Sequence, residues 1–441
     1  MSVAPANHVI NARWIVPIVP KGIVLEHHSI VIEAGHIIKI LPTGDLDKKY
    51  RSYQTTNLPD HLVTAGFINA HVHSAMTLFR GYADDLPLSE WLNNYIWPAE
   101  AKFVNREFVR DGTSLAVAEM IAGGTTCAAD TYFFPEAIAE VCEENHFRAQ
   151  VGIPVIQFSN AWADSEEEHL TKGLEFFENI KTSSLISAAF SPHAPYTVSD
   201  DGFRQVLKHA INLDIPIHLH LHETKQEVET ASTQNNRRPY TRIQELGLLN
   251  AHLQTVHMTE INDEEVQSLS KHQIHVAHCP ESNMKLASGI CPINTLIENG
   301  VNVALGTDGA ASNNNLDILA EARAAAFLSK VITNSPTAIT AEDALSMATI
   351  NGARLLGLDN KIGSLEIGKR ADIIAFDFSG INFQPIYNPI SQLIYTANGQ
   401  HVTHTWINGT CVYRNKLYTQ IDLTDLKERV ENWRKKIGGH L

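Results

Sequence analysis

Apolar and polar positions change their spacing along this chain, and the changes divide it into regions. Residues 8 to about 60 read as short strands. HSIVIEAGHIIKILP alternates, with a turn signal at Ala34-Gly35. A similar texture returns late, in GKRADIIAFDF (368–378) and HVTHTWINGTCVYRN (401–415), where Asn408-Gly409 predicts a tight hairpin. Two β-rich segments at opposite ends predict one small sheet domain flanking whatever lies between. The final segment, LTDLKERVENWRKKI, puts Leu426, Val430, Trp433 and Ile437 on one helical face and predicts a docked terminal helix.

Between about 62 and 332, apolar runs alternate with amphipathic stretches. The runs are LVTAGFINAHVH, GTTCAADTY, RAQVGIPVIQF, SLISAAFSPHAPY, IPIHLHLHE, LQTVHMT, HVAHCP and VNVALGTD. Helical candidates such as PEAIAEVCEENH, EHLTKGLEFFENIK, DGFRQVLKHAIN and LDILAEARAAAFLSKVI follow them. Eight strands, most of them near-continuously apolar, alternating with helices predict an α/β fold, a parallel (β/α)₈ TIM barrel, with a small flanking β-sandwich domain built from both chain ends. The expected domains are 1–61 (small β domain, N-terminal part), 62–360 (catalytic barrel) and 361–441 (small β domain, C-terminal part, with the terminal helix).

Composition narrows the function classes. The 441 residues, 44% apolar, suffice for a large core, and a charged fraction of 19% is far from a disordered composition. Lys+Arg 34 against Asp+Glu 49 gives a formal charge of −15, which argues against nucleic acid as a partner. No run approaches the ~18 apolar residues of a membrane span, so no membrane partner is expected. MSVAPANHVINARW shows no basic region followed by an apolar one, so secretion is not indicated. Five scattered cysteines without CxxC suit reduced thiols and a cytoplasmic home. A homo-oligomer is compatible with the chain, which does not specify one.

Histidine is the unusual count, at 22. His71 and His73 close the first predicted barrel strand as His-Val-His, and the period of two sends both imidazoles from one face. His218, His220 and His222 close the fifth strand, followed directly by Glu223. His257, His278 and Asp308 close the sixth, seventh and eighth. In a barrel these ends form one rim, where the chemistry of this fold is found. An HxH, a third His and an Asp on different strands predict a metal site; three imidazoles and a carboxylate suit Zn²⁺, and Fe²⁺ or Mn²⁺ would accept the same set. Two competing metal signatures fail: no His has Glu two residues on, and His222-Glu223 is not followed by a His three residues later.

The stretches GFINAHVHSAMTLFRGYADDLPLSEWL, FSPHAPYTVS, HLHETKQE, VHMT, HCPESNMKLASG and LGTDGAASNNNLD, in that order over 62–317, resemble the amidohydrolase superfamily. Within it they resemble the aminohydrolase branch holding the 5′-methylthioadenosine/S-adenosylhomocysteine deaminases and the triazine chlorohydrolases. The tail ATINGARLLGLDNKIGSLEIGKRADIIAFD resembles the segment that closes the barrel and re-enters the small domain. The resemblance implies that His71, His73, His220 and Asp308 bind one zinc per chain, that Glu223 is the acid and that His257 shuttles protons. It also implies a single metal, because SLISAAFSPHAPY has no Lys to bridge a second. His218 and His222 match no ligand position.

By the same resemblance, the expected reaction is hydrolytic replacement of the amino group at C6 of an adenine ring. Zinc activates water near neutral pH, Glu223 protonates N1, and His257 and Asp308 relay protons to the departing amine. Glu100 matches the position of a carboxylate that holds the ribose hydroxyls, and His193 that of a substrate-contacting His. Trp91 and Trp97 lie in the segment expected to lid the pocket. Arg148, a conceivable partner for a homocysteine carboxylate, begins the third strand at the end away from the rim. The expected partner is therefore a small-molecule nucleoside. The rivals are the same chemistry on guanine or a triazine, and an inactive relative acting as a binding protein. The second is disfavoured, because the ligands, the acid and the shuttle are all present.

Overall fold

The computed structural model describes residues 8–46 and 54–439. The N-terminal stretch 1–7, the part of the first β region at 47–53 and residues 440–441 lie outside the described residues. The chain forms two compact units. One draws on Met1–Ile68, Ala118–Cys127 and Asp317–Ile421, the other on Asn69–Val117, Ala128–Leu316 and Asp422–Leu441.

The first unit holds one eight-stranded sheet, and it is made from both ends of the chain. Its spatial order is Leu417–Tyr418, Thr410–Arg414, Val402–Ile407, Ile373–Asp377, Gln54–Ala65, His8–Val16, Leu25–Glu33 and His36–Pro42. Ile373–Asp377 lies antiparallel on Gln54–Ala65, which stitches the late β segment to the early one. Both turn signals behave as written. Ala34 and Gly35 have φ of 47° and 78°, and Asn408 and Gly409 have 51° and 78°, the left-handed pair that a two-residue hairpin needs. The two turns also meet: a Cβ on Gly35 would stand 2.6 Å from the Asn408 carbonyl oxygen, so the side-chain-free residue is needed for the approach as well as for φ.

The second sheet is the barrel. Its eight strands pair in chain order from Phe67–Val72 through Thr125–Thr131, Arg148–Val155, Ile186–Pro192, Ile217–Leu221, Leu253–His257 and His275–His278 to Val303–Leu305. Every residue of Thr125–Thr131 and of Arg148–Val155 is buried, as expected of parallel strands covered on both faces. The first and last strands meet where Asp308 donates its backbone N–H to the His71 carbonyl at 3.0 Å. Gly306 permits that closure, since a Cβ there would lie 2.8 Å from the Cβ of His71.

The first apolar run, 62–73, is interrupted at Gly66. Residues up to Ala65 belong to the end-built sheet, and the barrel strand starts at Phe67. Several helices open on a side-chain cap: Ser165, Ser199, Thr224 and Asn262 each accept a backbone N–H of the first turn. The terminal helix Leu423–Gly438 buries Leu426, Trp433 and Ile437, with Val430 half-buried. The Trp433 indole N–H donates to Asp111 at 2.8 Å, and its ring meets Phe108 edge-on. Among the described residues no helix is long and apolar enough to cross a membrane.

Candidate active site

The strand ends predicted to share a rim do share one. Ligand atoms of His71, His73 and Asp308 lie within 4.8 Å of one another, as do those of His71, His220 and His257. His71 Nε2 and His220 Nε2 are 3.1 Å apart, and Asp308 Oδ1 stands 3.4 Å from His71 Nε2 and 3.2 Å from His73 Nε2. Each donor is aimed by a neighbour. His73 donates from Nδ1 to the Thr131 carbonyl at 2.5 Å, and His220 from Nδ1 to the His193 carbonyl at 2.6 Å. A carbonyl only accepts, so in the neutral rings both Nε2 atoms carry lone pairs. Asp308 Oδ2 accepts from the Ser282 hydroxyl at 2.6 Å and the Ser312 hydroxyl at 2.7 Å, which turns Oδ1 toward the imidazoles.

These donors fit a metal ion. Burial holds His71 and His220 well below the ordinary histidine value, so both rings are neutral. Lone pairs and a carboxylate oxygen crowded at 3.1–3.4 Å repel one another unless a cation sits among them. Two nitrogens about 2.0–2.1 Å from one tetrahedral zinc would stand about 3.3 Å apart. The spacing matches that demand.

Glu223 and His257 flank the donors. Thr224 caps the helix Lys225–Asn235, and Glu227 in its first turn reaches back to accept the Glu223 N–H at 2.8 Å, which pins the backbone of Glu223. Burial pushes the Glu223 carboxyl up, against the opposing pull of His257. Its Oε1 is 3.4 Å from the Ser288 hydroxyl, and Oε2 is 3.8 Å from His257 Nε2. His257 donates from Nδ1 to Asn283 Oδ1 at 2.9 Å, leaving Nε2 toward Glu223. His257 and Asp308 have φ of 74° and 59°, a conformation that costs a non-glycine residue and tends to persist where function requires it.

A cavity of about 510 Å³ opens over these groups, lined by His73, His220, Glu223, His257 and Asp308 on one side. Glu100 and His193, both expected to face the substrate, also line it. Glu100 lies on Trp97–Phe103, a helix that continues a π-helical turn over Trp91–Ile96, a form often found at functional sites. The Tyr132 hydroxyl donates to Glu100 Oε1 at 2.6 Å. Burial pushes the Glu100 carboxyl up to about 7. Burial takes His193 down to about 4, so that ring is neutral. Trp91 and Trp97 line the same cavity.

Arg148 begins its strand and donates to the Ser184 carbonyl at 3.1 Å; it does not line the cavity. Asn313 and Asn315 are engaged within the last loop, Asn313 with the Thr307 carbonyl and Asn315 with Glu281 and Asn313. Their place after His278-Cys279-Pro280 marks Ser282 and Asn283 as residues that shape the rim, but nothing local says which side chain each would hold; Ser312, Tyr132 and Thr131 carry no such signal in the sequence.

Residues 62–412 match the family model described as the amidohydrolase family. The chain belongs to the amidohydrolase family. It is 46% identical over 433 residues to a 5-methylthioadenosine/S-adenosylhomocysteine deaminase of Saccharophagus degradans, covering 98% of this chain and 97% of that one. The crystal structure of an adenosine deaminase from Xanthomonas campestris with bound zinc is 44% identical, with a TM-score of 0.96 over 99% of each chain. The atrazine chlorohydrolase of Arthrobacter aurescens, complexed with zinc, superposes with a TM-score of 0.91 over 97% of this chain and 99% of that one, at 19% identity. That likeness is one of fold. Within the amidohydrolase family, the chain thus stands nearer in sequence to these nucleoside deaminases than to the triazine enzyme.

Proposed function

We propose that this amidohydrolase is a zinc-dependent deaminase of 5′-methylthioadenosine and S-adenosylhomocysteine, giving the inosine-type product and ammonia. One observation carries the reading: a cavity walled by His73, His220 and Asp308 of the converging metal donors, with a buried carboxyl, Glu223, at their side and a second carboxyl, Glu100, within the same cavity. The 46% and 44% identical deaminases support it.

In this reading His71, His73, His220 and Asp308 hold one zinc. The bound ion supplies Lewis acidity that makes water a nucleophile near neutral pH. Glu223 begins protonated, as its raised carboxyl favours, and delivers that proton to N1 of the adenine ring, leaving C6 open to attack. His257, tied through Nδ1 to Asn283, receives a proton from the attacking water at Nε2. His257 passes that proton to the amino group as the C6–N bond breaks and ammonia leaves, and Asp308 takes the proton of the C6 hydroxyl as the carbonyl forms and relays it back to Glu223. Glu100 accepts the ribose hydroxyls on the oxygen that Tyr132 does not occupy. His193, neutral, offers a ring nitrogen to the substrate.

A panel of methylthioadenosine, adenosylhomocysteine, adenosine, guanine and a chlorotriazine, read by ammonia release and ultraviolet absorbance, tests this. The nucleosides should be turned over, with close to one zinc per chain. Turnover of guanine or the triazine with none of the nucleosides would sink the reading, and two well-ordered metals per chain would sink the mononuclear site.

A further inference from the structure

His218 and Gln254 lie outside the machinery described above, yet both are buried and joined to it by hydrogen bonds. His71 Nδ1 is 2.9 Å from His218 Nε2, and His218 Nδ1 is 2.9 Å from Gln254 Oε1. Gln254 stands directly opposite His218 in the parallel register of their strands, so this pairing is built into the barrel. The two histidine rings are near-parallel at 14°, with centroids 5.1 Å apart.

We propose that Gln254 and His218 are positioning residues that set the tautomer of His71 and so present its Nε2 lone pair to the metal. The direction follows from the hydrogen-bonding chemistry. An amide oxygen can only accept, so it requires the proton of His218 on Nδ1. That leaves His218 Nε2 as an acceptor, which in turn requires the proton of His71 on Nδ1. His71 Nε2 is then bare, 3.1 Å from His220 Nε2. Turning the Gln254 amide over would reverse every proton in the row and aim an N–H from His71 into the donor cluster. The other two histidines need no such row, because the carbonyls of Thr131 and His193 do the same work directly. His71 reaches no main-chain acceptor through Nδ1 among the described residues, and a glutamine on the sixth barrel strand supplies an acceptor through a second ring. Groups of this kind behind a ligand are typically worth about 10–100-fold in metal affinity.

The inference rests on His71 being a ligand, and the test separates the two. Neutron diffraction from perdeuterated, zinc-loaded protein should place deuterons on Nδ1 of both His71 and His218 and none on either Nε2. A deuteron on His218 Nε2 would overturn the proposal. Chelator competition should show zinc binding weakened about 10–100-fold in Gln254→Leu and close to wild type in Gln254→Glu, which keeps an acceptor. A packing role would give the opposite order, because a buried carboxylate costs more than a buried Leu; thermal midpoints of the metal-free variants report that cost separately. Zinc lost in His71→Ala but bound normally by folded Gln254→Leu would overturn this inference alone. Normal zinc binding by His71→Ala would overturn the ligand reading as well.

Discussion

The two walls of the cavity are built differently. On the donor wall each group is restrained by a second contact: His73 and His220 by main-chain carbonyls, Asp308 by two serine hydroxyls, and the Glu223 backbone by Glu227. On the other wall, Glu100 has one side-chain hydrogen-bond partner among the described residues, Tyr132, and Trp97 and Phe158 remain 37% and 58% exposed. Metal donors must meet at one point within a few tenths of an ångström. Under the proposed function this wall would receive a flexible thioether and a sugar, which tolerate looser placement. Rigidity is concentrated where the chemistry is least forgiving.

That contrast can be broken from the donor side first. His71→Ala should reduce zinc content from about one per chain toward zero and abolish turnover with it, as metal analysis beside an ammonia assay would show. Glu223→Gln preserves shape but has no acid proton, so kcat should fall by about 10²-fold or more while zinc content hardly changes. Near-normal turnover in that variant would mean that the proton donor is misassigned.

The substrate wall should give smaller effects. Glu100→Ala removes charge-assisted hydrogen bonds of about 1.5–3 kcal/mol each, so kcat/KM for ribonucleosides should fall by at least about 10-fold. Any slow reaction on free adenine should be untouched; equal loss on both would mean that Glu100 supports the fold instead of reading the sugar. Tyr132→Phe deletes one hydrogen bond to Glu100, worth about 1 kcal/mol, and should cost about fivefold on ribonucleosides, with zinc affinity unchanged. The smallest difference should lie between substrates. The aliphatic and aromatic side chains of Leu88, Leu92 and Phe133 on this wall suit a methylthio group, so methylthioadenosine should be used at least as readily as adenosylhomocysteine.

Much of this was legible before any coordinates. The alternation of apolar runs and amphipathic stretches named all eight barrel strands, because a strand buried on both faces has no choice but to be apolar along its length. The end-built sheet was legible from Ala34-Gly35 and Asn408-Gly409, residues whose backbone freedom is a local property. The break at Gly66 was not, since 62–73 reads as one apolar run and only the change of partner sheet divides it. His218 shows the same limit at the site. Strand periodicity puts His218, His220 and His222 at alternate positions, but periodicity cannot say that His220 meets His71 through Nε2 while His218 meets it through Nδ1.

The sequence by itself determined which residues could do the chemistry: imidazoles and carboxylates at strand ends, in an order that one barrel rim can gather. It determined this because strand period, turn preference and side-chain chemistry are properties of a few neighbouring residues. Tertiary structure alone decided which atom of each side chain faces the site. The Nδ1 partner of His73 is 58 positions away, that of His71 is 147 away, and the hydroxyl of Ser282 reaches Asp308 across 26. A tautomer or a carboxylate orientation is set by whichever donor or acceptor lies within about 3 Å, and at that range the neighbours are chosen by closure of the barrel and not by the chain.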